Sequence, residues 1–322
     1  MKQYRILLTS LGTTAAVGAI KALRNTDNAN VFIVGTDINP RERIAGSSFC
    51  DKFVRIPRFD DARYVDTIKT ICRLHDINFI LPIHDYEVET LASQRDVFEG
   101  VKVCSSDHET VRICNDKIET NLKLQAEGVP TPAVWSICTD GPHQYSFPIF
   151  IKPRHGLGSK GCFQVDQMDE LPFVLRRVNE PIAQAVLTGE QYVLDVLNDM
   201  DGRNLVVIPR IEYISKAGIG TNVRIQRQPQ LEAYGARIAE ALNIKGPANI
   251  EIFYNGSDIQ LIEVNPRLSG GHIFSALAGV NLPLLTIKLF AGETINPKKL
   301  IWRDGININR YWEEAIDGGT LS

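Results

Sequence analysis

The stretch Gly128-Val-Pro-Thr-Pro132 divides this chain into two grammars. Glycine followed by two prolines stops a helix and cannot continue as a central strand. Before it, strand and helix signals alternate. Residues 5–10 and 31–37 read as strands, and 13–24 reads as a helix with Ala16, Ile20 and Leu23 on one face. Residues 64–75 form the next helix, with Ile68, Ile71 and Cys72 inward, and 78–83 and 101–105 are further strands. Such alternation buries a parallel sheet between helices, so the first unit is a small doubly wound α/β domain. Residues 107–114 and 117–127 read as helices leading up to the break.

After the break, strands come in hairpin-like pairs: 148–152 with 162–165, 192–198 with 205–211, and 249–254 with 258–264. Asn255-Gly256 is a tight-turn signal between the last two. Helices near 169–179, 230–242 and 282–290 are expected to cover one side. The fold class is thus α/β followed by α+β, with units at 1–110, 111–187 and 188–322. The tail after residue 300 has little pattern, and Trp302 and Trp312 are expected to pack it down.

At 322 residues the chain exceeds one ordinary core. A net charge of -3 argues against a dedicated nucleic-acid surface, which would carry a basic bias. No run approaches the roughly 20 apolar residues of a membrane span, and the N-terminal apolar stretch is too short for a signal peptide. The six cysteines make no C-x-x-C pair, which disfavours zinc and suits reduced thiols in a cytoplasmic protein.

The chemistry-bearing residues lie in the second half. Gly156-Leu-Gly-Ser-Lys-Gly161 matches G-x-G-x-x-G, but a strand follows it where a dinucleotide turn would open a helix. It reads either as a phosphate-cradling flap or as an ordinary hairpin, and the flanking Lys152 and Lys160 favour phosphate. Lys152 interrupts an apolar strand and so needs an anion or water. Lys117 opens a helix behind Asn115-Asp116. Glu251 and Glu263 lie on apolar strands on either side of the Asn255-Gly256 turn, with Asn265 just beyond. Two buried carboxylates so placed are costly unless a cation lies between them, and their oxygens suit magnesium. Gln184-Ala-Val-Leu187 fits an adenine hinge or a core strand equally. Arg210, Arg224 and Arg267 are candidate charge clamps.

Together, Asn115-Asp-Lys117, Ile151-Lys-Pro153 with Gly158-Ser-Lys-Gly161, Gln184 to Leu187, Glu251, and Glu263 with Asn265-Pro-Arg267 resemble the ATP-grasp superfamily. The branch they resemble is the one of carbamoyl-phosphate synthases and amino-acid ligases. The resemblance implies a pre-ATP-grasp domain followed by a two-lobed ATP-grasp domain. It assigns Lys117 and Lys152 to the α/β-phosphates of ATP, and Gly158, Ser159, Lys160 and Gly161 to a flap over the β/γ-phosphates. Gln184, Ala185, Val186 and Leu187 fall at the adenine hinge. Where the family often carries a ribose-binding glutamate, this chain has Gln191 with Glu190 beside it. Glu251, Glu263 and Asn265 would hold Mg2+, with Mn2+ as the alternative, and Arg267, Arg210 and Lys216 would serve the transferring group. Residues 213–222 and 268–272 read as loops lining the acceptor site, with Arg224, Ser269 and Gly270 as substrate contacts.

The implied reaction joins a small-molecule carboxylate to an amine through an acyl phosphate, releasing ADP and phosphate, in a cytoplasmic enzyme that could pair as a homodimer. The alternative is a non-catalytic ATP sensor or scaffold. A nicotinamide-dependent oxidoreductase is a third reading, from Asp37 at a plausible ribose position, but Leu11-Gly-Thr-Thr-Ala-Ala-Val-Gly18 lacks the full glycine fingerprint.

Overall fold

A computed structural model describes residues 3–26, 30–137, 146–156, 158, 160–216, 218–311 and 313–315. Its first unit contains β1 (Gln3–Leu8), α1 (Thr14–Arg24), β2 (Asn30–Asp37), β3 (Lys52–Arg55), α2 (Tyr64–Leu74), β4 (Phe79–Leu81), α3 (Asp85–Ser93) and β5 (Lys102–Val103). The sheet order is β3-β2-β1-β4-β5, and every pairing is parallel. Ile6, Leu7 and Leu8 are all fully buried, as a central parallel strand covered on both faces requires. Thr13 caps α1 by accepting a hydrogen bond from the Ala16 amide at 3.2 Å. β3 and α3 are additions to the sequence expectation. Both are short and rich in charge, so neither has a strong periodic signal.

The second unit contains α4 (His108–Asn115), α5 (Lys117–Ala126), β6 (Val134–Ser136), β7 (Ile149–Pro153), β8 (Phe163–Val165), α6 (Leu171–Leu175) and β9 (Pro181–Ala185). Its strands form an antiparallel sheet in the order β6-β9-β7-β8. α6 is shorter than expected. The chain leaves it early and turns into β9 through Glu180, which has a left-handed φ of 44°.

The third unit contains β10 (Glu190–Asn198), β11 (Asn204–Lys216), β12 (Ile219–Ile225), α7 (Pro229–Ala241), β13 (Gly246–Tyr254), β14 (Ile259–Asn265), α8 (His272–Ala278), α9 (Leu282–Phe290) and β15 (Asn307–Asn309). The antiparallel sheet runs β14-β13-β10-β11-β12-β15. Of residues 213–222, expected as a loop, 213–216 instead end β11 and 219–222 begin β12, paired with register shifts around Ile214. The patternless tail also supplies a strand, because β15 pairs with β12. Trp302 is buried as expected, and Trp312 lies outside the described residues.

The two faces of this sheet do different work. Along one, Leu194, Val196, Val207, Ile211, Ile250, Ile252 and Val264 pack on Leu231, Tyr234 and Ile238 of α7. On the other, Ile208, Val223 and Ile225 share a core with Phe274, Ile287 and Phe290, and also with Ile6, Leu8 and Ile20 of the first unit. The N-terminal domain is therefore packed onto the large lobe through continuous apolar surface. Among the described residues, no single helix is long and apolar enough to cross a membrane.

Candidate active site

The β13–β14 hairpin places Glu251 directly opposite Glu263, and Asn249 opposite Asn265. Side chains alternate along a strand, and Ile250 and Val264 point into the α7 core. The four polar residues therefore share the other face. Asn249 Nδ2 donates to Glu251 Oε1 at 3.3 Å, and Asn265 Nδ2 donates to Glu263 Oε1 at 3.1 Å. Burial, then the charges of Glu263 and Glu212, push the Glu251 carboxyl up to about 8, against the pull of Arg267 and Asn249. Asn249 Oδ1 is buried without a hydrogen-bond partner. Among the described residues no cluster of three or more His, Cys, Asp or Glu forms a self-sufficient metal cage. Two carboxylates and amide oxygens instead suit a hard cation that takes its remaining ligands from phosphate and water.

This charge arrangement gives a pH prediction. The folded state holds a proton on Glu251 that the unfolded chain releases between its ordinary value of 4.5 and about 8. The resulting stability is fully present below 4.5 and is lost as pH rises through about 8. A cation bound between the carboxylates would take the place of that proton. Mg2+ is therefore expected to raise the melting temperature more at alkaline pH than at pH near 6, and equal shifts at both would contradict the paired-carboxylate site.

Facing the carboxylates are two lysines. Lys152 on β7 is buried, and its Nζ donates to the Ile262 carbonyl at 3.2 Å. Burial and the charge of Lys117 bring it down to about 8, opposed by Glu263 and Glu251. Lys117 is the first residue of α5. Asp116 caps that helix by accepting from the amides of Ile118 and Glu119 and also pairs with Arg154 at 2.5 Å. Burial would raise the Asp116 carboxyl, but Arg154 and the helix amides hold it below its ordinary value. Lys117 Nζ donates to the Gly156 carbonyl at 3.2 Å, so helix start and flap root are joined. Lys117, Lys152, Glu263 and Asn265 line one cavity of about 260 Å³ together with Asp85 and Tyr86 of the first unit.

The flap turns through Gly158 and Gly161, whose φ values of 63° and 73° favour glycine. A Cβ on Gly218 would lie 3.9 Å from the Gly158 Cα, so the flap meets the tip of the β11–β12 hairpin. Lys160 is exposed there, as is Lys216 on the hairpin. Ser159 lies outside the described residues.

Of the hinge residues, Gln184 and Ala185 belong to β9, so a strand is what the first half of that segment forms. Gln184 is buried, with Nε2 donating to the Leu261 carbonyl at 3.4 Å. Val186 and Leu187 leave the strand and lead to β10, which Glu190 opens exposed and Gln191 continues half-buried.

Three arginines fare differently. Arg267 is directed at the site but is held there by another domain: its Nε is 2.6 Å from Oδ1 of Asp85, the first residue of α3. Arg210 is not the free clamp expected from sequence. It is 2% exposed, paired with Asp195 at 2.6 Å and Glu212 at 3.2 Å, and donates to Ser269 Oγ at 3.3 Å. Its guanidinium is sealed beneath Gly271, where a Cβ would approach Nη2 to 2.7 Å. Arg224 pairs with Ile211, whose side chain packs on α7, and so stands on the opposite face from Glu251. The sheet itself separates it from Ser269 and Gly270, which do lie beside Arg210 and the hairpin tip.

Sequence reasoning missed Asp85, Tyr86 and Asn249. The first two lie in a helix with weak periodicity, far from the other motifs. Asn249 had a signal, being a polar residue two positions before Glu251 on the same face. In the first unit, Asp37 accepts from the amides of Gly12 at 2.7 Å and Asn39 at 2.9 Å, so its carboxylate is occupied by its own loops rather than free for a ribose.

Residues 6–104 match a family model described as "PylC-like, N-terminal domain". Residues 177–313 match one described as "ATP-grasp in the biosynthetic pathway with Ter operon". The carbamoyl phosphate synthase large chain of Clostridium acetobutylicum is 23% identical over 218 residues, which is 61% of this chain and 20% of that one. The chain thus spans about a fifth of the length of the curated relatives it matches. Among solved structures, the biotin carboxylase domain dimer of Hydrogenobacter thermophilus 2-oxoglutarate carboxylase, in complex with MgADP, ADP and bicarbonate, has a TM-score of 0.75 at 16% identity, covering 92% of this chain and 71% of that one. The L-amino acid ligase of Bacillus licheniformis has a TM-score of 0.68 at 16% identity, covering 90% and 75%. The two family matches, with which the fold and the motif order agree, place the chain in the ATP-grasp superfamily. Within it, the chain joins a PylC-like N-terminal domain to an ATP-grasp domain.

Proposed function

We propose that this protein is an ATP- and magnesium-dependent ligase that joins a carboxylate to an amine, with an amino-acid-like substrate. The observation that carries the reading is the cavity in which Lys117 and Lys152 face Glu263 and Asn265, with Glu251 beside them. Lysines on one wall suit the α/β-phosphates, and oxygen ligands on the other suit a cation bridging β- and γ-oxygens. Magnesium would supply charge neutralisation on the transferring group. Glu251, Glu263 and Asn265 would hold it, and Asn249 would keep Glu251 oriented.

In the first step a substrate carboxylate oxygen attacks the γ-phosphorus and the bond to the β,γ-bridging oxygen breaks, giving an acyl phosphate and ADP. In the second an amine nitrogen attacks the acyl carbon, inorganic phosphate leaves, and the amine proton passes to solvent. The protein's part is positioning and charge balance. Arg267, aimed by Asp85, is suited to the γ-phosphate. The glycine flap and the hairpin carrying Lys216 meet over the site, where closure would exclude water from the acyl phosphate. Arg210 serves indirectly, by holding Ser269 and the backbone beside it.

The test is ADP and phosphate release with Mg-ATP against pooled amino acids and small carboxylic acids. Release that depends on one pool is expected. Silence across all pools with ATP binding intact would replace the ligase with an ATP sensor. For nucleotide binding itself, Lys152→Ala is expected to weaken ATP affinity about 10- to 100-fold, the scale of one charge-assisted hydrogen bond. Unchanged affinity by calorimetry would remove Lys152 from the phosphate site.

A further inference from the structure

Arg310 is an arginine on the face of Glu251 and Glu263, with no acid paired to it among the described residues. β15 runs along β12 with Val223 opposite Ile308, and the Arg310 amide extends the ladder to the Thr221 carbonyl at 2.8 Å. Alternation puts Arg310 on the face of Ile308 and Val223. Val223 in turn pairs with Glu212, so this is the face of Glu212, Arg210 and Glu251. A row of charges therefore crosses the sheet, from Glu263 and Glu251 through Glu212 and Arg210 to Arg310.

The two arginines at the end of that row differ. Arg210 is neutralised by Asp195 and Glu212 in direct contact. Arg310 lies over the Phe274 ring at 4.8 Å and donates through Nη2 to the Gly270 carbonyl at 2.6 Å. Among the described residues it forms no ion pair. It is half-buried, and burial together with the Arg210 charge pulls its pKa down, against Glu212. A guanidinium has five donors in a fork that fits a carboxylate. One donor is used on Gly270, and aromatic packing fixes the plane of the others. Gly270 also lies against Ile219 at the start of β12, so the β11–β12 hairpin borders this corner.

We infer that Arg310 anchors a free carboxylate of the small-molecule substrate, one remote from the group that reacts. The substrate class is then an amino-acid-like molecule whose second carboxylate is recognised at the β15 edge of the sheet. Assigning that molecule to a ligation rests on the reading above, whereas the anion site does not.

The probe is phenylglyoxal labelling of the full chain in the presence of Mg-ATP, with Arg310 and the exposed Arg203 followed by peptide mass spectrometry. An equimolar mixture of aspartate and glutamate is compared with the same mixture of their side-chain amides, asparagine and glutamine, which keep the ammonium and the first carboxylate but lack the second. The acids are expected to slow labelling of Arg310 by about tenfold or more, the scale of a charge-assisted bidentate contact, and the amides to leave it unchanged. Arg203 should react alike throughout. Equal slowing by both mixtures, slowing by neither, or an Arg310 unreactive from the start would overturn the site. A second readout is Arg310→Gln, which should raise KM for the active amino acid while leaving KM for ATP unchanged. Protection without ADP release would keep the site and sink the ligase. ADP release from an amino-acid pool without protection would do the reverse.

Discussion

Glu263→Gln is expected to abolish ATP turnover, by roughly a hundredfold or more, while the protein stays folded. The substitution keeps the shape of the side chain and its contact with Asn265 but removes one of two facing charges. Without Glu263 the like-charge pressure on Glu251 falls, so its carboxyl should titrate lower and the metal-free protein should lose none of its stability. The cation, however, would have one carboxylate where it had two, and the γ-phosphate would transfer with less charge compensation. The experiment is ADP release by the variant with the active substrate pool, beside a thermal melt with and without Mg2+. Loss of turnover, loss of the Mg2+-dependent stabilisation and an unchanged melt without metal form the expected set. Turnover close to that of the parent would remove Glu263 from the metal site.

The second large effect is on stability. Asp195→Ala should cost about 3–5 kcal/mol, because it strips the closest partner from a fully buried guanidinium. Asp195 is 1% exposed, pairs with Arg210 at 2.6 Å and accepts from Ser275 Oγ at 2.6 Å. Burial would raise its carboxyl, yet the Arg210 charge, with the Ser275 and Ser269 hydroxyls, holds it below its ordinary value. Glu212 alone would be left to neutralise Arg210. The urea midpoint of the large lobe measures the loss. Replacing the whole network, as Asp195→Leu with Arg210→Met and Glu212→Gln, should recover much of it, since no buried charge is then left unpaired. If the single variant were as stable as the parent, the pair would be a surface-like contact despite its burial.

What could be read from sequence, and what could not, follows from the range over which each signal acts. Glu251, Glu263 and Lys152 were legible because a charge inside an apolar strand is a local contradiction that calls for a partner. The alternating first unit was legible for a similar reason: its periodicity is written within each element. Arg210 and Arg224 were not, because the face a side chain takes in an antiparallel sheet depends on neighbouring registers. Nothing in the local sequence says that Asp195 will meet Arg210, or that Arg224 will share a rung with inward-facing Ile211. Residues 213–222 read as a loop because glycine and polar residues dominate them, while the pairing that makes them a hairpin comes from β11 across the turn. The tail strand β15 has the same origin, drawn onto β12 by an open edge rather than by any pattern of its own.

The Asp85–Arg267 contact has a consequence for how such a protein can be taken apart. Arg267 belongs to the segment that follows the strand carrying Glu263 and Asn265, yet its direction is set from the first residue of a helix in a different domain. The N-terminal unit is therefore more than a neighbour sharing apolar surface. Grafting this ATP-grasp domain behind a foreign first domain could reproduce the fold and still leave the arginine pointing at nothing. Any exchange of parts between such proteins would have to carry the aspartate and the arginine together, two residues 182 positions apart in the chain and joined by a single salt bridge.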